Sequence, residues 1–238
     1  MGLAGARMID FEWWPTLRYL LWGSFPDGPL GGAALTVAMS LVSALLSAMI
    51  GMALGVALSM TRGAVHVALT AIVGLFRAIP VLMLIFWTFF LMPILLRVQV
   101  PGLATVACAL ALVGGAYLSH SVQAGIAAVG TAQQQAAFSL GMTRWQALRY
   151  VLLPQAVRIM TPSFVNQWVS LTKDTSLAYI VGVPEVTFLA NQLNNRLMVY
   201  PAQIFLFVGF VYLLLCSALQ WCAARLLGGE QSIAHRFF

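Results

Sequence analysis

Five apolar stretches separated by short polar or prolyl breaks set the pattern of this chain. The first runs from Leu30 to Met60 and stops at Thr61-Arg62-Gly63, and the second runs from Ile79 to Leu96, closed by Arg97. The third runs from Gly102 to Val129, the fourth begins after Pro162 and ends near Val183-Pro184, and the fifth runs from Gln203 to Leu227. Apolar runs about 20 residues long are the length of a membrane-crossing helix. The pattern therefore predicts an all-α integral membrane fold with about five transmembrane helices. Residues 64–76 are apolar too, but a single helix over 64–96 would be ~50 Å long, too long for a ~30 Å hydrocarbon core. Pro80 marks a bend or a helix start, so 64–76 reads as an interfacial or extended segment leading into the second span.

Between the third and fourth runs lies a polar, arginine-bearing island of about thirty residues. Within it Gln133 to Gly141 reads as a short helix ended by glycine. Thr143 offers an N-cap for a second helix through Tyr150, ended ahead of Pro154. Two short helices joined at a glycine make a knob suited to mechanical contact. The knob carries no Cys/His pair, no carboxylate pair and no set of metal ligands.

Composition sharpens the picture. The 238 residues are 61% hydrophobic and only 8% charged, far from the roughly 25% charged residues of soluble domains. The net charge of +6 falls in no basic cluster with interleaved aromatics, which argues for membrane topology over nucleic-acid binding. One set of ends and loops carries Arg62, Arg77, Arg144, Arg149, Arg158, Arg225 and Arg236. The other carries Arg7, Arg18, Arg97 and Arg196 with Asp10, Glu12, Asp27 and Glu185. The richer set is expected inside, which puts the N-terminus outside and the C-terminus in the cytoplasm.

Three parts follow: an outer interfacial segment over 1–29, a transmembrane domain over 30–227 with its cytoplasmic loop at 130–160, and a cytoplasmic tail over 228–238. The N-terminal stretch lacks the layout of a removable signal peptide. Its Trp13, Trp14, Tyr19 and Trp22 read as an interfacial aromatic belt. Cys108, Cys216 and Cys222 fall in spans without metal spacing and are expected to pack as small buried apolar groups. No repeat of 20–50 residues is present.

Two spans carry unusual patterns. Ser43, Ser47, Gly51, Gly55 and Ser59 place a small residue at every fourth position of the first span. Such a stripe fits close packing against another span of the chain or against another subunit. The fourth span carries Lys173, the only lysine, next to Asp174, Thr175 and Ser176. Entering at residue 161, the helix brings Lys173 roughly 18 Å deep, where a charge marks a functional site by default. Neighbouring side chains diverge by about 100° on a regular helix. Lys173 and Asp174 can share a partner only where the helix is irregular, so Thr172 to Ser176 is read as an irregular or pathway-lining segment.

The polar island also carries a resemblance. Gln135-Ala136-Ala137, Gly141, Val151 and Leu153-Pro154 resemble the cytoplasmic signature E-A-A, three residues, G, nine residues, I-x-L-P of ATP-binding-cassette importer permeases. Phe76-Arg77-Ala78-Ile79-Pro80, Pro154 to Arg158, Lys173 to Leu177 and Gly182-Val183-Pro184-Glu185 look like the polar amino-acid branch of that family. Asn191 to Arg196 with Tyr200-Pro201 is similar to members handling glutamate and aspartate. The likeness spans roughly residues 30 to 227. It departs at Ser119-His120-Ser121-Val122-Gln123, where the branch commonly shows A-E-x-x-R, and at Ala132, where it has glycine. His120 there reads as a polar interface residue.

The resemblance implies that the loop docks on an ATPase subunit through Gln135, Ala136, Ala137, Gly141, Leu153 and Pro154. It implies a solute path at Lys173, Asp174, Thr175 and Ser176. It implies four partners in the bacterial inner membrane system: an ATPase subunit that holds ATP and Mg, a periplasmic solute-binding protein, a second permease subunit (identical or a paralogue), and a polar amino acid. This chain has no phosphate-cradling Gly-x-x-x-x-Gly-Lys-[Ser/Thr] loop, so it is expected to be a transport subunit with no cofactor of its own. The competing readings are an ion-coupled secondary transporter, which would need more intramembrane carboxylates than Asp174, and a membrane enzyme, for which there is no catalytic constellation.

Overall fold

A computed structural model describes residues 13–97, 101–197 and 201–231. Arg7, Asp10, Glu12, Tyr200, Arg236 and the tail beyond residue 231 lie outside the described residues. The elements in order are α1 (Trp13–Trp22), α2 (Gly32–Met60), α3 (Gly63–Ala78), α4 (Val81–Phe86), a π-turn at Trp87–Leu91 and α5 (Met92–Leu96). There follow α6 (Gly102–Ala128), α7 (Thr131–Ser139), α8 (Arg144–Ala147), a second π-turn at Leu148–Leu152 and α9 (Leu153–Asp174). A 3-10 helix at Thr175–Val181, then α10 (Val186–Leu197) and α11 (Pro201–Gln231), complete the described chain. The described residues form no strand, only two isolated bridges, Gly23 with Leu30 and Gly32 with Glu185. The expected all-α class is the one found.

Three helices, α2, α6 and α11, are long and apolar enough to cross a membrane, and the pair α3 with α4–α5 counts as a fourth if its halves form one broken span. The expected fourth span does not stand among them, because α9 carries too many polar residues. It also begins earlier than expected. The helix starts at Leu153 and continues through Pro162, so Pro154 ends no helix here and Pro162 starts none. The segment expected to be interfacial or extended is the helix α3, and it meets α4 at 97°. Pro80 is the cause: the residue before a proline is forced out of the α region, and Ile79 is extended at φ −78°, ψ 127°.

The two π-turns share one origin. Met92 N–H bonds back five residues to the Trp87 carbonyl and Leu153 N–H to the Leu148 carbonyl. Each is followed at once by a proline, Pro93 or Pro154, which has no N–H and whose ring would strike the carbonyl four residues back. Widening the turn by one residue relieves that clash and keeps the helix going.

The centre of the bundle is α6, 67% buried over its apolar window against 28% for α2 and 17% for α11. Its partner seam on α2 is the small-residue stripe: Ser43, Ser47, Gly51 and Gly55 are buried, while Leu41, Leu45 and Met49 face outward. A Cβ on Gly51 would sit 2.5 Å from the Leu118 Cβ and one on Gly115 2.5 Å from Ile50. From Ser43 to Gly55 the stripe thus serves packing within the chain, whereas Ser59 is exposed. Around this seam Met39, Leu84, Ile85, Leu110, Val113 and Leu171 form the main core. Arg77 lies over the Tyr117 ring at 5.0 Å and accepts that residue's hydroxyl at its carbonyl, which ties the end of α3 to α6. A second core gathers Leu20, Ala33, Val186, Leu189, Ile204 and Val208 where α1, α2, α10 and α11 meet. Cys108 and Cys222 are exposed and Cys216 half-buried, which corrects the expectation of buried cysteines: they fall on helix faces turned away from the α2–α6 seam.

Candidate functional site

The knob between α6 and α9 is built by two glycines with positive φ. Gly130 (φ 88°) turns the chain out of α6 and Gly141 (φ 78°) ends α7. At that end Gly141 N–H donates to the Phe138 carbonyl (2.9 Å) and Met142 N–H to the Ala137 carbonyl (3.1 Å), the bonding of a glycine-stopped helix. Thr143 then caps α8 in a full capping box. Its Oγ1 accepts from Gln146 N–H, and its own N–H donates to Gln146 Oε1 at 2.8 Å. The second helix continues through the π-turn into α9, so the knob and α9 form one mechanical piece.

Of the residues expected to dock, Gln135, Ala136, Gly141 and Pro154 are exposed and Leu153 is half-buried. Ala137 is buried inside the knob with Ala147, so its small size serves the knob's own packing. The larger exposed side chains of the knob are ones the spacing argument passed over. Leu140 is 79% exposed, and Trp145 and Tyr150 are also open to the surface. The signal was available: large apolar side chains in an otherwise polar island have no core of their own to fill.

The second candidate region lies where α9 ends. Lys173 is exposed, Asp174 and Ser176 are half-buried, and Thr175 is fully buried. The chain is regular α-helix through Asp174 and tightens to 3-10 geometry from Thr175. The irregular stretch expected over Thr172 to Ser176 is thus corrected: Thr172, Lys173 and Asp174 are helical, and only Thr175 and Ser176 belong to the tighter turn. Thr175 Oγ1 donates to the Thr172 carbonyl at 2.7 Å, so Thr175 fixes the turn and is not open to a solute. Beside this junction an open groove of about 550 Å³ runs between α2, α9 and α11, walled by Ser40, Leu41, Trp168, Thr172 and Leu219 among others. The Trp168 Nε1 is buried and has no partner.

A third cluster emerges only in three dimensions. Glu185, read from sequence as an outer charge, is completely buried. Its carboxylate caps α10, accepting from Thr187 N–H and Phe188 N–H at 2.8 Å each, and it also accepts from the Tyr212 hydroxyl at 3.1 Å. The loop before it is sewn to α2: Gly32 N–H donates to the Pro184 carbonyl (2.9 Å) and Val186 N–H to Thr36 Oγ1 (3.3 Å). Burial pushes the Glu185 carboxyl up to about 7, against the pull of its hydrogen-bond donors. A carboxyl raised in the folded state gives stability that is complete below its ordinary value of 4.5 and is lost as pH rises through about 7. The melting temperature of the purified protein is expected to fall between pH ~5 and pH ~8. Glu185→Gln should flatten that fall, and an identical slope in wild type and variant would refute it.

Comparison with known proteins follows the geometry. Residues 47–227 match the family described as binding-protein-dependent transport system inner membrane component. The glutamate/aspartate import permease protein GltK of Escherichia coli is 34% identical over 150 residues, 60% of this chain and 66% of that protein. The match thus spans just under two thirds of that relative's length. The probable glutamine ABC transporter permease protein GlnP of Bacillus subtilis is 34% identical over 161 residues, 66% of this chain and 73% of that protein. Among solved structures, an amino acid ABC transporter with histidines has the same fold, with a TM-score of 0.74 at 20% identity over 82% of this chain and 90% of that one.

Proposed function

The chain belongs to the family of binding-protein-dependent transport system inner membrane components, and from that premise we propose that it is the membrane-spanning subunit of an ATP-driven importer of a polar amino acid. The observation that carries this reading is the knob. Two short helices, held at defined angles by Gly130, Gly141 and the Thr143 cap, present Leu140, Trp145 and Tyr150 to a partner. The second of them also passes without a break into α9. A displacement of the knob by an ATPase therefore reaches the Lys173–Ser176 junction through one continuous helix.

In this mechanism two such subunits, identical or paralogous, enclose a path between them. ATP binding by the separate ATPase draws the knobs together and opens the path outward, where a periplasmic binding protein delivers solute. Hydrolysis returns the path inward. The N-terminus lies outside and the C-terminus in the cytoplasm of the inner membrane. Lys173, exposed at the C-terminal end of α9, would attract a carboxylate of the solute, with Ser176 as a hydrogen-bonding neighbour. Glutamate or aspartate is the first choice of solute. The GltK match favours it, whereas the GlnP match favours an amide amino acid.

Uptake of labelled glutamate by cells with and without the gene, with aspartate, glutamine, arginine and histidine as competitors, tests the proposal. Loss of uptake on deletion, with aspartate the best competitor, supports the acidic solute. Glutamine or arginine as best competitor moves the solute class. Loss of one charge-assisted hydrogen bond worth ~1.5–3 kcal/mol corresponds to about 10- to 100-fold in affinity. Lys173→Gln is expected to raise the half-saturation concentration by about that factor, and wild-type kinetics in that variant would remove Lys173 from the path.

A further inference from the structure

We propose that Arg77, seated on the Tyr117 ring beside His120, is a second carboxylate-binding point on the solute's route, nearer the knob than Lys173, and that it selects for an acidic amino acid. The inference rests on the acidic-solute reading above and deepens it.

Arg77 stands in the last turn of α3, just before the break at Pro80, and its guanidinium lies over the Tyr117 ring of α6 at 5.0 Å. The Tyr117 hydroxyl donates to the Arg77 carbonyl at 3.4 Å, so the contact is held at two points. Arg77 is exposed, and among the described residues it has no carboxylate partner. A guanidinium stacked on a ring keeps N–H donors for a planar anion, which it grips as a fork. His120 lies one turn on from Tyr117 on the same face of α6. It is half-buried and carries an N–H in either protonation state. By helical rise Tyr117 stands ~22 Å from the start of α6, within a ~30 Å hydrocarbon core. An arginine that only anchored the chain would extend toward the headgroups. This one turns onto a ring instead, and a cation left without an anion at that depth marks a path.

The position of this cation relative to Lys173 follows from two glycines. A Cβ on Gly114 would meet the Leu171 side chain at 2.9 Å, and one on Gly125 would meet the Met160 Cβ at 3.2 Å. Helices α6 and α9 therefore run antiparallel, and Lys173 is level with about residue 112, which puts Tyr117 roughly 8 Å nearer the knob. Tyr117 is also only about 60° round α6 from Gly114 and about 80° from Gly125, next to the side that packs on α9. Its face of α6 changes character along the helix. Leu110 and Val113 on that face are buried with Leu84 and Ile85 in the main core. Tyr117 and Ala124 are exposed and Ser121 is half-buried. The break that sets α3 at 97° to α4 leaves this lower stretch uncovered. A dicarboxylate leaving Lys173 toward the knob thus finds a further cation beside it.

The test uses the assembled importer, with its ATPase and binding protein, reconstituted in vesicles and supplied with labelled glutamate. His120→Glu and His120→Gln are nearly equal in shape and differ by one charge. An acid at 120 competes for Arg77, so glutamate uptake by His120→Glu is expected to fall about tenfold or more, while His120→Gln stays within about twofold of wild type. The melting temperature of His120→Glu should be no lower than that of His120→Gln, since a purely structural contact would gain an ion pair. If His120→Glu does not fold, Arg77→Gln and Arg77→Lys make the same comparison: the first should lose about tenfold and the second should recover most of that loss. Occupancy is read separately. With Cys108, Cys216 and Cys222 replaced by alanine, Ser121→Cys is expected to react with a small maleimide, and saturating glutamate should slow that reaction about fivefold or more.

Equal uptake by His120→Glu and His120→Gln, or maleimide labelling indifferent to glutamate, would overturn the inference. The competition experiment on the deletion strain separates the two levels. If glutamate is the solute and the charge at 120 has no effect, only the second binding point falls. If the solute is an amide or cationic amino acid, the acidic reading falls and the second binding point falls with it.

Discussion

Gly141→Glu is expected to leave a folded, membrane-inserted protein that supports less than about a tenth of wild-type uptake, since an unpaired charge in the middle of a docked surface costs ~2 kcal/mol or more. Two features of Gly141 separate its roles. Its φ of 78° penalises any side chain, by ~1–2 kcal/mol for ordinary L residues. Yet a Cβ built there meets nothing within 4 Å in its own chain. The fold therefore asks only for the backbone angle, and open space remains for a partner. Gly141→Ala pays the angle without filling the space and should keep most of the uptake. Gly141→Glu pays the angle and puts a charge where the ATPase would dock. Measured in vesicles, glutamate at 141 should also break the dependence of ATP hydrolysis on solute and binding protein. Equal uptake by the two variants would show that the angle alone matters and that position 141 is not at the contact.

Gly51→Leu should be severely damaging to the membrane part. A Cβ at 51 would stand 2.5 Å from the Leu118 Cβ and 3.2 Å from the Gly115 carbonyl. Neither neighbour is the loose end of a long side chain, so α2 and α6 must move apart. Overpacking costs ~1–3 kcal/mol where a core can adjust, and the close seam between these helices leaves little room to do so. The expected outcome is loss of the purified, monodisperse protein. Gly74→Leu in α3 is the control, because nothing lies within 4 Å of a Cβ there and accumulation should be normal. Equal yields from the two variants would mean that the seam is looser than its distances indicate.

What the sequence made legible divides along physical lines. Apolar runs bounded by arginine, glycine and proline located α2, α6 and α11, because each end is enforced locally by a charge or a backbone restriction. Gly141 and Thr143 announced the knob for the same reason: caps act over three or four residues. Two prolines misled, because Pro154 read as a helix end and Pro162 as a helix start while the folded chain runs through both. One is absorbed by a π-turn and the other lies inside α9. Polarity misled at Thr175, whose hydroxyl is spent on the Thr172 carbonyl. Glu185 was invisible as a buried group because its partners are Tyr212, 27 residues on, and a loop sewn to Thr36, 150 residues back. The large exposed residues of the knob, Leu140, Trp145 and Tyr150, lacked only the question of what else they could pack on.

The widened turn at Leu148–Leu152 acts on the chain as a phase shift. One additional residue has been threaded into an otherwise continuous rod, so every side chain beyond it is rotated by about 100° from where an unbroken α-helix would place it. The face that α9 turns toward α6, and with it the bearing of Lys173 about the rod, depends on that one residue. Deleting a single position between 148 and 152 would leave composition and hydropathy almost untouched and yet turn the knob and α9 out of register with each other. In this stretch of the chain, length is held more strictly than identity.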